Sequence, residues 1–146
     1  MNVSATNLPV PEPTVTEETK PFWDATAQGK LLLKRCDTCG SFIWYPRGIC
    51  PACGSLKTSW VEASGKGTIY TFTVNHRGDG AYRGASPYVL AYVELEEGPR
   101  ILTNIVGADP ETLQIGQPVR VVFEDTGAGS ALPRYTPDGT AGGSLP

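Results

Sequence analysis

Four cysteines in two matching pairs are the residues of this chain with the clearest chemistry. Cys36 and Cys39 form one C-x2-C pair, Cys50 and Cys53 form the other, and a glycine follows each pair directly. A C-x2-C turn can direct two thiolates at one tetrahedral ion, and the glycine permits the backbone angles that the turn needs. Two such pairs complete a four-thiolate site, so the spacing predicts one zinc ion held by all four cysteines.

The spacing leaves two other states of these cysteines open. Iron can occupy the same cage, as in rubredoxin, and would allow electron transfer, whereas zinc does not change its oxidation state. Two disulfides would need an oxidising compartment, which nothing else in the sequence indicates. With four protein thiolates around a metal, no position is left for water or substrate, so we expect a structural site.

The composition favours a small, β-rich cytoplasmic protein. The 146 residues include 17 glycines and 13 prolines, which suit turns and short strands, and 40% of the residues are apolar. The net charge of −3 disfavours a protein that binds nucleic acids through their phosphates. The sequence contains no apolar run of membrane-spanning length, and its first residues lack the basic and apolar regions of a signal peptide.

The elements that position the cysteines form a compact N-terminal module. Residues 19–28 predict a short helix, with Gly29 just past its end. Residues 30–35 and 41–45 predict two strands that flank the first cysteine pair. A helix, two short strands and two metal-binding turns predict a rubredoxin-like zinc ribbon over residues 19–58. A module this small needs its metal to fold.

The remainder of the chain predicts a second, all-β domain over residues 59–136. Strands are predicted at 68–74, 88–95, 100–106, 119–124 and 132–135, with one helical turn at 109–113. Five strands with a helical turn between the third and the fourth predict a Greek-key barrel of the OB-fold type, so the fold class is mainly β. In the first strand, Tyr70, Phe72 and Val74 share one side, which we expect to face the core. Residues 1–18 and 137–146 are predicted to be a flexible arm and a flexible tail.

The order of these motifs resembles a known family. The motifs are Pro21-Phe22-Trp23 in the helix, the two Cys-x-x-Cys-Gly turns, the segment Gly65-Lys66-Gly67-Thr68-Ile69-Tyr70-Thr71-Phe72, and the closing strand before Pro137. Over about residues 20–136 the chain is similar to zinc-ribbon plus OB-fold proteins that are partner subunits of acyl-CoA enzymes. Those enzymes are thiolases, hydroxymethylglutaryl-CoA synthase assemblies, and thiolase-like aldolases that cleave side chains of steroid-type acyl-CoA thioesters.

The resemblance implies a zinc-binding, non-catalytic subunit that docks on a thiolase-fold enzyme. It also implies a heterotetramer with a thiolase-type dimer, and acyl-CoA bound at a shared site. The four cysteines carry over as metal ligands, and no catalytic residue carries over. Activity of this chain alone is not expected, because His76 is its only histidine and no nucleophile is spaced to use it. The alternative is a nucleic-acid-binding OB and zinc-ribbon module, which the acidic charge disfavours.

Two further segments are candidates for the working surface. We predict that Phe22, Trp23 and Tyr82 contact the partner, because a ten-residue helix is too short to be stable alone and must pack its aromatics on something. The chain's own core is the alternative packing site for the helix. Arg77 and Arg83, in a glycine-rich loop, are predicted to pair with the phosphates of CoA. A solvated barrel loop is the alternative for that segment.

Overall fold

The computed structural model describes residues 7–139 and confirms the predicted mainly β fold. A short helix and a three-stranded ribbon sheet precede a closed five-stranded barrel. The elements are α1 (Lys20–Thr26), β1 (Leu32–Cys36), β2 (Phe42–Ile43), β3 (Thr58–Glu62), β4 (Lys66–Asn75), β5 (Tyr88–Leu95), β6 (Arg100–Ile105), β7 (Pro118–Asp125) and β8 (Ala131–Pro137). Within residues 7–139, no helix is long and apolar enough to cross a membrane.

The ribbon sheet has one strand more than the sequence indicated. Strand β1 pairs with β2 on one side and with β3 on the other, so that Lys34 lies between Ile43 and Trp60. Residues 59–62, predicted to begin the barrel domain, pair with the ribbon strand β1. The chain that leaves the second cysteine pair thereby covers an edge of β1 that would otherwise expose unpaired backbone groups.

The barrel has the strand order expected of an OB-fold. Its strands follow the order β4-β5-β6-β8-β7, and β7 pairs with β4 to close the ring. The β6–β8 pair is parallel, with Ile105 opposite Tyr135. A single 3-10 turn lies between β6 and β7, and the side chain of Asp109 caps it by accepting a 3.0 Å hydrogen bond from the backbone of Glu111. This turn is the one that the sequence predicted between the third and fourth barrel strands.

A β-bulge in β4 changes which side chains face the barrel core. The register against β5 shifts between Ile69 and Thr71, so Ile69 and Phe72 both point inward although they are three residues apart. Tyr70, at the bulge, is 46% exposed. The prediction that Tyr70 shares the core face with Phe72 and Val74 is therefore wrong, because an extra residue at a bulge reverses the alternation beyond it.

One apolar core joins the ribbon and the barrel. Phe22 and Leu33 of the ribbon lie in the same buried cluster as Ile69 and Tyr135 of the barrel. A hydrogen bond at the end of α1 also links the two parts, because Thr26 Oγ1 accepts from the backbone nitrogen of Ala131 at 3.0 Å. The ribbon is therefore packed on the barrel rather than tethered to it.

Residues 7–18 lie against the folded body. Leu8 is buried with Val106 and Val122, and the Arg134 guanidinium donates to the carbonyl oxygen of Pro9. At the far end of this segment, the carboxylate of Glu18 accepts a 2.6 Å hydrogen bond from the backbone of Gly48. The predictions of flexibility for residues 1–6 and 140–146 fall outside the described residues.

Candidate metal centre and partner surface

The two cysteine pairs bring four sulfur atoms together in one cluster. All four Sγ atoms lie within 4.8 Å of one another. Across the pairs, Cys36 and Cys53 are 3.6 Å apart, and Cys39 and Cys50 are 3.7 Å apart. Sulfurs bound to zinc at about 2.3 Å with tetrahedral angles are separated by roughly 3.8 Å, so the cluster has the dimensions of a zinc site. The four thiols are free, and the disulfide alternative is not the state of this structure.

The same backbone arrangement builds both turns. The amide of Cys36 donates to the carbonyl of Ser41, and the amide of Cys50 donates to the carbonyl of Ser55, at 2.8 and 2.9 Å. The glycine after each pair has φ of +77°, a conformation that glycine adopts at little cost, as the sequence analysis expected. This shared geometry explains why the C-x2-C-G spacing alone predicts the cluster.

Hydrogen bonds and neighbouring sulfurs shift the pKa values of these thiols in opposite directions. Ser41, whose hydroxyl lies 3.3 Å from the sulfur, lowers the pKa of Cys39 to about 6 through its hydroxyl and its backbone amide. The backbone amide of Ser55 lowers the pKa of Cys53, but the neighbouring Cys36 thiol and desolvation raise it, and the net value is about 12. Four sulfurs at this spacing would repel one another as thiolates, so the fully ionised cluster needs a cation between them.

The donor set fits zinc as a structural ion. Four thiolates are the ligand set of closed, tetrahedral zinc sites, and such a site leaves no position for substrate. Iron is also held by four cysteine thiolates in iron–sulfur proteins, so the metal content of the purified protein distinguishes the two ions. Among the described residues, this cluster is the only group of three or more histidine, cysteine, aspartate or glutamate side chains placed to share a metal ion.

Phe22 and Trp23 pack inside this chain and not on its surface. Phe22 is 1% exposed and Trp23 is 8% exposed, and their rings contact each other edge to face with centroids 4.9 Å apart. The indole nitrogen of Trp23 donates a 2.8 Å hydrogen bond to Tyr45 Oη. The structure therefore supports the alternative that the helix packs on its own core, and it leaves little of either ring for a partner to contact.

The loop between β4 and β5 holds the other predicted site residues. Arg77 and Arg83 are exposed, and no salt bridge within residues 7–139 involves them. Tyr82 is half-buried and packs on Tyr88 with ring centroids 5.5 Å apart. A Cβ at Gly78 would collide with the carbonyl oxygen of Tyr82, so the loop folds back tightly at that glycine. The structure thus anchors the loop at its tyrosine and leaves both arginines accessible.

An aromatic groove lies between the ribbon and the barrel, and its shape could not be predicted from the sequence. The groove has a volume of about 230 Å³ and is lined by Trp44, Tyr45 and Tyr82 together with Leu102 of β6. Its walls come from segments far apart in the sequence, and the predicted partner residues Phe22, Trp23 and Tyr82 are among them. Leu102, an outward residue between the inward residues Ile101 and Thr103, was a further sequence signal that the prediction did not use.

Comparison with known proteins identifies the same two modules. The family described as the ChsH2 rubredoxin-like zinc ribbon domain matches residues 23–59, and the ChsH2 C-terminal OB-fold domain matches residues 60–124. A DUF35 domain-containing scaffold protein of Methanocaldococcus jannaschii is 43% identical over 95 residues, which cover 64% of this chain and 67% of that protein.

Longer and assembled relatives also match. A probable enoyl-CoA hydratase alpha subunit of Thermomonospora curvata is 35% identical over 128 residues, and the chain spans only 40% of its length. A benzoylsuccinyl-CoA thiolase subunit of Thauera aromatica is 30% identical over 103 residues, 68% of this chain and 70% of that subunit. A solved structure described as the Ltp2-ChsH2(DUF35) aldolase contains a chain that is 34% identical, with a TM-score of 0.77 and coverage of 86% of this chain and 98% of that one.

Proposed function

Because this chain belongs to the DUF35 family, with a ChsH2-type zinc ribbon and OB-fold, we propose that it is the non-catalytic partner subunit of a thiolase-fold enzyme. The enzyme would be a thiolase or an aldolase acting on an acyl-CoA. The observation that carries the proposal is the 34% identity, over 98% of its length, to a chain of the Ltp2-ChsH2(DUF35) aldolase. The name of the Thauera aromatica relative, a thiolase subunit, is consistent with it.

The metal in this proposal is one structural zinc ion. It is held by Cys36, Cys39, Cys50 and Cys53. The sulfur separations of 3.6 and 3.7 Å support this assignment, because they match the spacing of four sulfurs around a tetrahedral zinc ion. When bound, zinc cross-links the two turns and stabilises the ribbon, and this is the only chemistry that it supplies. The metal acts on the partner indirectly, by fixing the ribbon against the barrel core.

Catalysis belongs to the partner in this proposal. With its four cysteines committed to the metal, the chain retains no thiol nucleophile. The described residues contain no second cluster of titratable metal-ligating groups, and His76 is exposed on a loop. A catalytic site needs an arranged set of nucleophile, base and orienting group, so we expect no turnover by the isolated chain.

The CoA thioester is shared between the two subunits in this proposal. Arg77 and Arg83 extend from a loop anchored by Tyr82, and a guanidinium pairs well with a phosphate oxygen. Both arginines are exposed, so a phosphate could reach them without displacing an existing partner. We further propose a cytoplasmic heterotetramer, in which two copies of this chain flank a thiolase-type dimer.

Co-expression with a thiolase-fold protein from the same genome tests the proposal. The two chains should purify together, with a native mass equal to two copies of each and about two zinc ions per assembly. The complex should turn over acyl-CoA, whereas this chain alone should not. Arg77→Ala and Arg83→Ala should raise the KM for the thioester more than they lower kcat, with Arg47→Ala as the control. Failure of the chains to associate would contradict the proposal.

A further inference from the structure

Three large apolar side chains form a row on the outside of the barrel. Tyr70, Tyr92 and Leu102 lie on the adjacent strands β4, β5 and β6 and are 46%, 44% and 53% exposed. Tyr92 pairs directly with Leu102 on one side and with Thr71, next to Tyr70, on the other. The outward face of a sheet is ordinarily polar, so three such side chains on adjacent strands indicate a surface that another molecule covers.

The row is electrically neutral and held in place by its surroundings. The guanidinium carbon of Arg100 lies 3.8 Å from the centre of the Tyr70 ring, and Arg100 Nε is 3.1 Å from a carboxylate oxygen of Glu94. The Arg100 cation beside the row is therefore already paired with a carboxylate. Such a face has no free charge to offer a phosphate, so its complement is a neutral, apolar protein surface and not CoA or a nucleic acid.

The row continues into the aromatic groove between barrel and ribbon. Leu102 belongs to the row and also lines the groove with Trp44 and Tyr45. Tyr45 is itself fixed by the hydrogen bond from Trp23. We call the continuous area of Tyr70, Tyr92, Leu102, Trp44 and Tyr45 the sheet-and-groove surface. Rigid aromatics beside a pocket are the features that concentrate binding energy in protein interfaces.

The size of this surface indicates where it lies within an interface. Three strands about 4.8 Å apart and about five residues long cover roughly 250 Å². A stable interface buries about 800 Å² on each partner, which is about a tenth of the 8303 Å² accessible surface of this chain. The exposed row is thus large enough for the centre of an interface, and the groove and ribbon extend it toward the full area.

We propose that the sheet-and-groove surface is the docking site for the thiolase-fold subunit, through a neutral apolar face of that subunit. The proposal rests on the proposed function and adds the location of the contact. It separates the two roles of the chain: the outside of β4–β6 holds the partner, and the loop of Arg77 and Arg83 contacts the thioester. It also replaces Phe22 and Trp23, which are buried, as the predicted contact residues.

Binding of the full-length, zinc-loaded chain to the purified thiolase-fold subunit tests this location. Leu102→Asp and Tyr92→Asp place a charge in the row and should each weaken the Kd about 30-fold or more. Leu56→Asp is the matched control, since Leu56 is 73% exposed on the ribbon and lies outside the row, and it should change the Kd less than about 3-fold. In the wild-type complex, Tyr70 and Tyr92 should also be protected from chemical nitration, a measurement that needs no variant to fold.

Each outcome decides between the proposals. If the wild-type chain binds no thiolase-fold subunit, the proposed function fails and the docking site with it. If the wild-type chain binds, but the row variants bind equally well and both tyrosines stay reactive, only the location is overturned. Loss of binding by Leu56→Asp alone would move the contact to the ribbon. A wild-type homodimer that Leu102→Asp dissociates would assign the row to a second copy of this chain and overturn the proposal.

Discussion

Trp23 of the helix and Tyr45 of the ribbon are joined by a 2.8 Å hydrogen bond from the indole nitrogen to the phenol oxygen. The bond gives the indole nitrogen, the only polar atom of the nearly buried Trp23 side chain, its hydrogen-bond acceptor. It also fixes the ring that forms one wall of the aromatic groove. Core packing and the shape of the proposed docking surface therefore depend on the same contact.

Tyr45→Phe should lower the free energy of unfolding by about 1–2 kcal/mol, because it leaves the Trp23 indole N–H without its acceptor. Tyr70→Phe is the matched control on an exposed ring and should change stability by less than about 0.5 kcal/mol. Urea unfolding followed by tryptophan fluorescence measures both. Equal midpoints for the two variants would indicate that water replaces the Tyr45 hydroxyl.

Cys50→Ser should abolish tight zinc binding and unfold the ribbon, because a hydroxyl is a poor replacement for a thiolate at a zinc site. Much of the barrel signal in circular dichroism should remain, since the barrel buries residues of its own such as Val93 and Val119. Thr38→Ala, which removes a hydroxyl 2.9 Å from Ser55 Oγ without touching a ligand, should keep about one zinc per chain. Elemental analysis measures both contents, and iron as the main metal would contradict the zinc assignment.

Arg134 and Glu124 form a nearly buried ion pair at 2.7 Å. Arg134→Met should lower the free energy of unfolding by about 3–5 kcal/mol, because it leaves the Glu124 carboxylate buried without a cationic partner. Arg134 also donates to the carbonyl oxygen of Pro9, so the variant should make residues 7–18 more sensitive to proteolysis. Arg100→Met, in an exposed pair, should change stability by about 1 kcal/mol or less. A double variant Arg134→Met, Glu124→Leu that recovers most of the loss would confirm that the stranded charge is the cause.

Local pattern predicted the metal cluster and the barrel because both are encoded within short windows. The C-x2-C-G turns form the same backbone hydrogen bonds at both sites. The side chain of Asp109 caps its 3-10 turn by accepting a hydrogen bond from the backbone of Glu111, two residues later. The burial of Trp23 was not predictable in this way, because its acceptor, Tyr45, belongs to another segment. Tyr70 was predicted to face the core because a β-bulge cannot be recognised from the alternation of apolar residues. It becomes visible only in the pairing of β4 with β5.

Tyr135 provides a test of the barrel core at high pH. Its ring is fully buried in β8, and its hydroxyl has no hydrogen-bond partner within the described residues. Burial, with a smaller contribution from the nearby Glu97 carboxylate, raises the pKa of Tyr135 well above its ordinary value. The folded state therefore resists ionisation of this phenol, whereas the unfolded chain ionises it near pH 10.

The sign of the pH effect follows from that difference. The stability that depends on a neutral Tyr135 is fully present below about pH 10 and is lost as the pH rises above the unfolded value. Tyr135→Phe removes the ionisable group, so the alkaline unfolding midpoint should move to higher pH. At neutral pH the variant should be as stable as the wild type or up to about 1 kcal/mol more stable, because it deletes an unpaired buried hydroxyl.

Tyr92→Phe is the control for this prediction, because Tyr92 is exposed on strand β5 and the variant removes a phenol hydroxyl without touching the barrel core. Its alkaline midpoint should match that of the wild type. Thermal unfolding between pH 7 and pH 11 measures all three proteins. A Tyr135→Phe variant that unfolds at the wild-type pH, or that loses more than about 1 kcal/mol at pH 7, would mean that the hydroxyl is paired through buried water and stabilises the barrel in its neutral form.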